Sequence, residues 1–165
     1  MGRLTNLQAA AKRFASRFEL FATRSGLDLA VYPAMEEHGE PSCVLLVEDD
    51  QPSREALARI LAVEGYCVDT AENGAQAFER LHHPPRPFVV LLDLGLPVVS
   101  GQDFISRQKQ EPEIADIPVV VITAAFEPWV PDAVAVLPKP LDLPALKHLL
   151  SVLRARQSSR CIPAA

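Results

Sequence analysis

Short apolar runs alternate with amphipathic segments along the chain from Cys43 onward. The apolar runs are Val44–Val47, Tyr66–Val68, Phe88–Leu92, Val119–Ile122 and Val134–Leu137. Segments with helical spacing lie between and after them, at about 53–64, 74–82, 101–110 and 143–156. Near-continuous Val, Leu and Ile runs are typical of parallel strands whose two faces are both buried. The pattern predicts an α/β fold with a doubly wound, five-stranded parallel sheet in flavodoxin-like order and right-handed crossovers.

The first 42 residues have a different pattern. Apolar residues recur at steps of three and four, at Leu4, Leu7, Ala11, Phe14, Phe18 and Phe21. This spacing predicts an amphipathic helix over 4–25, ended by Gly26. Residues 31–42 are interrupted by proline and glycine and are interpreted as a linker. The predicted organisation is therefore an N-terminal helical region over 1–30, the linker 31–42, a domain over 43–157 and a tail over 158–165.

Length and charge narrow the class of protein. The chain has 165 residues, of which 48% are hydrophobic, and its net charge is −5. No apolar run approaches the roughly 20 residues of a membrane span, and an acidic balance gives no general footprint for nucleic acid. We therefore expect a cytoplasmic protein that binds neither membrane nor nucleic acid. The Arg-rich first 25 residues leave an organellar transit peptide as an alternative.

The three cysteines are widely spaced. Cys43, Cys67 and Cys161 form no CxxC pair and have no histidine at ligand spacing. We therefore expect reduced thiols rather than a disulfide framework or a zinc site.

Four of the five apolar runs end in residues that carry charge or a hydroxyl group. Glu48 and Asp49 follow the first run, Asp93 the third, Thr123 the fourth and Lys139 the fifth. Ligands bind at the carboxyl ends of strands in such sheets, so we expect these side chains to converge. Carboxylate oxygens suit Mg²⁺, and a carboxylate can attack phosphorus to form an acyl phosphate. Mg²⁺ and an ammonium group would neutralise charge on the phosphoryl oxygens.

Each residue alone also has an ordinary structural explanation. Acids after a strand often cap the next helix, as Asp50 before Pro52 would do. A threonine at a strand end is often there only because its β-branched side chain favours a strand. A lysine in a loop is usually exposed to solvent. The prediction of a shared site rests on the joint placement of these residues at the ends of four predicted strands.

These residues resemble the bacterial response-regulator receiver family (CheY-like superfamily), of the single-domain type, over about 43–156. The segments that carry the resemblance are VLLVEDDQPSR (44–54), VVLLDLGLPVVSG (89–101), VVVITA (119–124) and LPKP (137–140).

The resemblance implies a Mg²⁺ site around a phosphoacceptor. Asp93 is similar to the family's phosphoacceptor. Glu48 and Asp49 correspond to its acidic pair, with Asp49 binding Mg²⁺ directly and Glu48 through water. Asp50 remains an alternative in this register, although the following Pro52-x-Arg54 favours Glu48 and Asp49. The backbone carbonyl of Gly95 is at the third metal position.

The resemblance also implies a phosphate-binding group. Thr123 corresponds to the switch hydroxyl, and Ala124 is the small residue that leaves room for the phosphoryl group. Lys139 corresponds to the lysine that pairs with Asp93, and the Lys139–Pro140 bond is expected to be cis. No catalytic residue beyond these is implied.

The implied function is two-component signalling. A sensor histidine kinase or phosphotransfer protein would donate the phosphoryl group, and the protein would then act through protein contacts. One alternative is a pseudo-receiver that is not phosphorylated in its signalling role. An enzyme is not expected, because an aspartate-nucleophile phosphatase would need an aspartate where Gly95 stands. A nucleotide-binding fold would have a glycine-rich loop where EDDQPSR stands.

The chain departs from the family between Thr123 and Lys139. Lys139 follows after only 16 positions, and the stretch contains Pro128 and Pro131, so the fourth helix is expected to be reduced. Val136 occupies the position where the family usually has an aromatic residue.

Two further questions stay open at this point. Phe126 or Trp129 could replace the missing aromatic, or could simply pack over the shortened loop. The apolar face of the predicted helix over 4–25 could contact an unknown downstream partner or a second copy of the chain, or it could pack on its own domain.

Overall fold

The computed structural model describes residues 18–20, 31–33, 43–97, 100–125 and 128–160. The strands are β1 (Phe18–Leu20), β2 (Val31–Pro33), β3 (Cys43–Val47), β4 (Cys67–Ala71), β5 (Val89–Asp93), β6 (Val119–Thr123) and β7 (Ala135–Pro138). The helices are α1 (Gln51–Val63), α2 (Gly74–Leu81), α3 (Gly101–Gln110) and α4 (Leu143–Arg160). None of the helices in the described part of the chain combines the length and hydropathy that a bilayer span requires.

One seven-stranded sheet runs through the molecule in the order β1-β2-β4-β3-β5-β6-β7. The five strands from Cys43 onward are all parallel to their neighbours within this group. This arrangement confirms the predicted flavodoxin-like sheet. Strand β3 lies between β4 and β5, so the residues after β3 stand beside those that end β5.

The central strands divide their side chains between two cores. Leu45, Val47, Val90 and Leu92 contribute to the core under α2 and α3. Their alternate neighbours, such as Leu46 and Leu91, join the core under α1 and α4. Since a strand has a period of two, continuous Val/Leu runs supply both cores at once, as the sequence predicted.

The stretch before β7, where the sequence predicted a reduced fourth helix, is a loop in its described residues. The described residues between Thr123 and Ala135, which omit 126–127, contain no helix. Val130 is buried in the core under α2 and α3, and Ala133 packs against it. The Val134 N–H donates to the Val119 carbonyl at 2.9 Å. Val130 thus covers part of the sheet in place of a full helix, and the absence of a helix from these described residues confirms the predicted reduction.

The predicted N-terminal helix is wrong where the structure describes it. Phe18–Leu20 is a strand that pairs antiparallel with Val31–Pro33, within the predicted linker, and Val31 pairs with Val68 of β4. Pairing satisfies backbone groups along the free edge of β4, and local periodicity cannot reveal that edge. Residues 4–17, 21–25 and 34–42 lie outside the described residues.

The expectation of reduced thiols is also wrong for two of the three cysteines. Cys43 and Cys67 begin β3 and β4 and are direct partners in the parallel register. Their Cα atoms are 4.4 Å apart, and the two residues form a disulfide. Spacing along the chain could not show this pairing, because it depends on strand register. Cys161 lies outside the described residues.

Reduction of this disulfide should destabilise the domain. It joins residues separated by 24 positions, and the loop-closure estimate for such a link is about 3 kcal/mol. We expect urea denaturation of the wild-type protein in dithiothreitol to give a free energy of unfolding lower by up to that amount.

The Cys161→Ala variant is the matched control and should show the same dependence on reductant. Alkylation of denatured, unreduced protein should modify one cysteine per chain. Modification of all three would contradict the cross-link.

Candidate functional site

The polar residues predicted at the strand ends do converge. Glu48 and Asp49 directly follow β3, Asp93 ends β5, and Thr123 ends β6. Lys139 directly follows β7, and its N–H donates to the Thr123 carbonyl at 2.8 Å. Parallel register brings all these ends to one edge of the sheet.

Lys139 bridges two buried carboxylates at this edge. Its Nζ donates to Asp93 Oδ2 at 2.6 Å and to Glu48 Oε2 at 2.8 Å. Asp93 is 9% exposed and Glu48 is 7% exposed, so water screens the contacts poorly. The Lys139–Pro140 peptide bond is cis, as predicted.

Burial and charge act against each other at these groups. Burial raises the pKa of Glu48, the hydrogen bond from Lys139 lowers it, and the nearby charge of Asp93 raises it again, so that the net shift is upward. Burial would lower the pKa of Lys139, but its hydrogen bonds to Asp93 and Glu48 outweigh this and raise it. The lysine therefore stays charged beside the two acids.

Three carboxylates at the edge have a geometry that suits Mg²⁺. One oxygen each from Glu48, Asp49 and Asp93 lies within 4.8 Å of the others. Opposite ligands of an octahedral Mg²⁺ are roughly 4.2 Å apart, so small adjustments would let oxygens of this set share one ion. Hard oxygen donors are the ligands that Mg²⁺ prefers.

Asp50 has a structural role instead. Its Oδ2 accepts the Ser53 N–H at 2.9 Å and caps α1. The hydrogen bonds from Ser53 lower the pKa of Asp50. Because Asp50 is occupied in capping the helix, Glu48 and Asp49 are favoured as the acidic pair.

A cleft opens beside Asp93. It measures about 340 Å³ and is lined by Asp93, Leu94, Gly95, Thr123, Ala124, Ala125 and Lys139. The Gly95 N–H donates to Asp93 Oδ1 at 2.9 Å, and the Thr123 hydroxyl oxygen accepts the Ala125 N–H at 3.0 Å. The lining contains every residue that was predicted to surround a phosphoryl group.

The region near the altered loop exposes apolar side chains. Val136 is 38% exposed and Trp129 is 79% exposed. Trp129 therefore does not pack over the shortened loop, although Gln102 Nε2 donates to its carbonyl at 2.8 Å. Phe126 lies outside the described residues.

Sequence reasoning missed the part played by Arg54. In the sequence, Arg54 served only to favour Glu48 and Asp49 over Asp50 as the acidic pair. In the structure its Nη1 donates to the carbonyls of Glu48 and Asp49. The sequence feature that could have pointed to this role is the position of Arg54 in the first turn of the predicted helix, where the helix dipole disfavours a cation.

Several known proteins are similar to this chain in sequence. Protein Rrf1 of Nitratidesulfovibrio vulgaris is 36% identical over 104 residues, which cover 62% of this chain and 75% of Rrf1. Response regulator Rre1 of Synechocystis sp. is 31% identical over 73% of this chain and 54% of its own length. The phosphate regulon transcriptional regulatory protein PhoB of Escherichia coli is 40% identical over 51% of this chain, but only 36% of PhoB is spanned.

Solved structures of response regulators have a similar fold. The response regulator protein TrrA of Thermotoga maritima, in complex with Mg²⁺-BeF, superposes with a TM-score of 0.61 at 27% identity. The match covers 69% of this chain and 98% of TrrA. A response regulator receiver protein of Pseudomonas putida gives a TM-score of 0.62 at 26% identity, again over 69% of this chain and 98% of its own.

The family described as the response regulator receiver domain matches residues 44–151. This range contains the parallel sheet except for Cys43, the first residue of β3, and every residue of the acidic edge. The chain belongs to the response regulator receiver domain family.

Proposed function

We propose that the protein accepts a phosphoryl group on Asp93 from a phosphohistidine of a sensor histidine kinase or phosphotransfer protein. The observation that carries the proposal is the setting of the Asp93 carboxylate. One oxygen is bound by Lys139 at 2.6 Å and the other by the Gly95 N–H at 2.9 Å, beside an open cleft.

The transfer would proceed by attack of an Asp93 oxygen on phosphorus. The P–N bond to the donor imidazole breaks, the P–O bond forms, and the leaving nitrogen takes up a proton from solvent. Lys139 would balance charge on the phosphoryl oxygens, while the Thr123 hydroxyl and the Ala124 N–H would donate to them. Mg²⁺, held by Glu48, Asp49, Asp93 and the Gly95 carbonyl, would supply further positive charge.

Hydrolysis would reset the domain. A water molecule attacking phosphorus would release inorganic phosphate and restore the carboxylate. Gly95 and Ala125 flank the cleft and have no polar side-chain group to hold that water. The protein would thus catalyse only its own phosphorylation and dephosphorylation.

The output would pass through the loop after β6. Thr123 binds the Ala125 N–H, so a hydroxyl drawn towards a phosphoryl group would release that N–H to the phosphate as well. We infer that phosphorylation orders residues 124–133 and thereby changes the surface around Trp129. Downstream partners would read this surface by protein contact. Such a role would place the protein in the cytoplasm, with its kinase.

Phosphorylation of Asp93 can be tested by intact-mass measurement. With Mg²⁺ and acetyl phosphate, or with a histidine kinase, the wild-type protein should gain the mass of one phosphoryl group. The Asp93→Asn variant should gain none, because an amide is not a nucleophile of this kind.

The Asp116→Asn variant is a matched control. Asp116 is an exposed acid just before β6, at the opposite end of the sheet, and its loss should leave the adduct unchanged. Absence of the adduct with every donor would favour a pseudo-receiver.

Loss of Lys139 should destabilise the acidic edge. The Lys139→Gln variant leaves two buried carboxylates without their cation. We expect a free energy of unfolding in EDTA lower by about 1–3 kcal/mol, below the cost at a fully buried pair because the lysine side chain is 33% exposed. Mg²⁺ should restore part of this loss in urea denaturation.

Lys147→Gln is the comparison. Lys147 pairs with Glu64 on the surface, so its loss should cost under about 1 kcal/mol. Equal costs for the two variants would argue against a charge-stabilising role for Lys139.

The loop response can be followed at Trp129, the one tryptophan of the chain. Mg²⁺ with beryllofluoride should slow amide exchange over 124–133 and shift the tryptophan emission. Asp93→Asn should abolish both changes. Unchanged exchange in the wild-type loop, with the ligand shown to be bound, would refute the ordering of the loop.

A further inference from the structure

The chain bends sharply where the acidic pair stands. Strand β3 ends at Val47, and a bend follows at Asp49. In an extended strand, successive side chains point to opposite faces. Glu48 and Asp49 are successive residues, yet each places a carboxylate oxygen within 4.8 Å of the other and of Asp93. The bend is therefore what brings two neighbouring acids to one site.

Charge repulsion opposes this bend. Three carboxylates share the edge, and among the described residues Lys139 is hydrogen-bonded to Glu48 and Asp93 but not to Asp49. Coulomb repulsion between the acids favours a backbone in which Asp49 swings away. A contact that holds the backbone at this bend would therefore favour the arrangement in which both acids face the site.

Arg54 makes that contact. Its Nη1 lies 2.5 Å from the Glu48 carbonyl oxygen and 3.1 Å from the Asp49 carbonyl oxygen. Successive carbonyls of an extended strand point in opposite directions, so one nitrogen reaches both only when the chain is bent. Arg54 also lies in the first turn of α1, where the helix dipole disfavours a cation. Its two carbonyl contacts offset that cost.

We propose that Arg54 is a positioning residue that holds the Glu48–Asp49 bend and thereby preorganises the Mg²⁺ site. The proposal rests on the proposed function, because it assigns a role at the same site. Arg54 does not touch the metal or the phosphoryl group; it acts through the backbone of the two acids.

The sign of the effect separates positioning from simple electrostatics. Removing a positive charge near the acids would by itself strengthen cation binding. Removing the restraint on the bend would weaken it, because Asp49 would have to be ordered when the ion binds. The two explanations thus predict opposite changes in Mg²⁺ affinity.

The experiment is calorimetric titration of Mg²⁺ into the 165-residue chain. Arg54→Met should raise the Kd for Mg²⁺ by about 10-fold, which is the lower range for groups that orient metal ligands. Arg54→Lys keeps the charge but has a shorter side chain, and should give a smaller increase. Arg59→Met is the matched control: Arg59 is on the same helix and pairs with the exposed Glu55, so its loss should leave the Kd unchanged.

Thermal unfolding in EDTA should give similar midpoints for all variants, which separates a loss of affinity from a loss of fold. If Arg54→Met does not fold, Arg54→Lys decides, because electrostatics alone predicts an unchanged Kd for it. An unchanged or lower Kd in both variants overturns the proposal for Arg54. If the wild type binds Mg²⁺ and is phosphorylated, that failure concerns Arg54 alone. If the wild type does not bind Mg²⁺, both proposals fail.

Discussion

The mutual repulsion of carboxylates at one edge of the sheet is the constraint on which the rest of this structure depends. Glu48 and Asp93 are almost fully buried, and burying two carboxylates side by side without a counter-charge is energetically costly. Lys139 supplies it through two hydrogen bonds. The lysine can do so only because β7 ends beside β6, with the Lys139 N–H on the Thr123 carbonyl. The charge balance of the site therefore depends on the order of the strands in the sheet.

The sequence predicted what depends on strand periodicity. The apolar runs Val44–Val47 and Phe88–Leu92 fill both faces of the sheet. The convergence of the acids after them was predictable because the carboxyl ends of parallel strands meet at one edge. The Cys43–Cys67 link and the β1–β2 pair depend on register and on a free strand edge, which no local pattern encodes. The stripe through Phe18 fits a helix, but three residues of it serve equally well as a strand once an edge is available.

Arg54 shows a different limit of sequence reasoning. Its helical position was predicted, but its contacts run backwards to carbonyls that only a bend presents together. Motif spacing located the acids without showing what holds them. Trp129 is a similar case, since its exposure depends on Val130 and not Trp129 entering the core.

The loop between β6 and β7 is fixed at its two ends, and among its described residues Val130 and the Trp129 carbonyl hold it in between. The Val134 N–H is bound to Val119, Lys139 to Thr123, and Val130 is seated in the core. Substitutions at the exposed positions between these anchors leave the lysine where the acids need it. Mutation and selection can therefore change what this surface recognises while the phosphate chemistry is inherited intact, so that recognition and chemistry evolve on separate residues of one short segment.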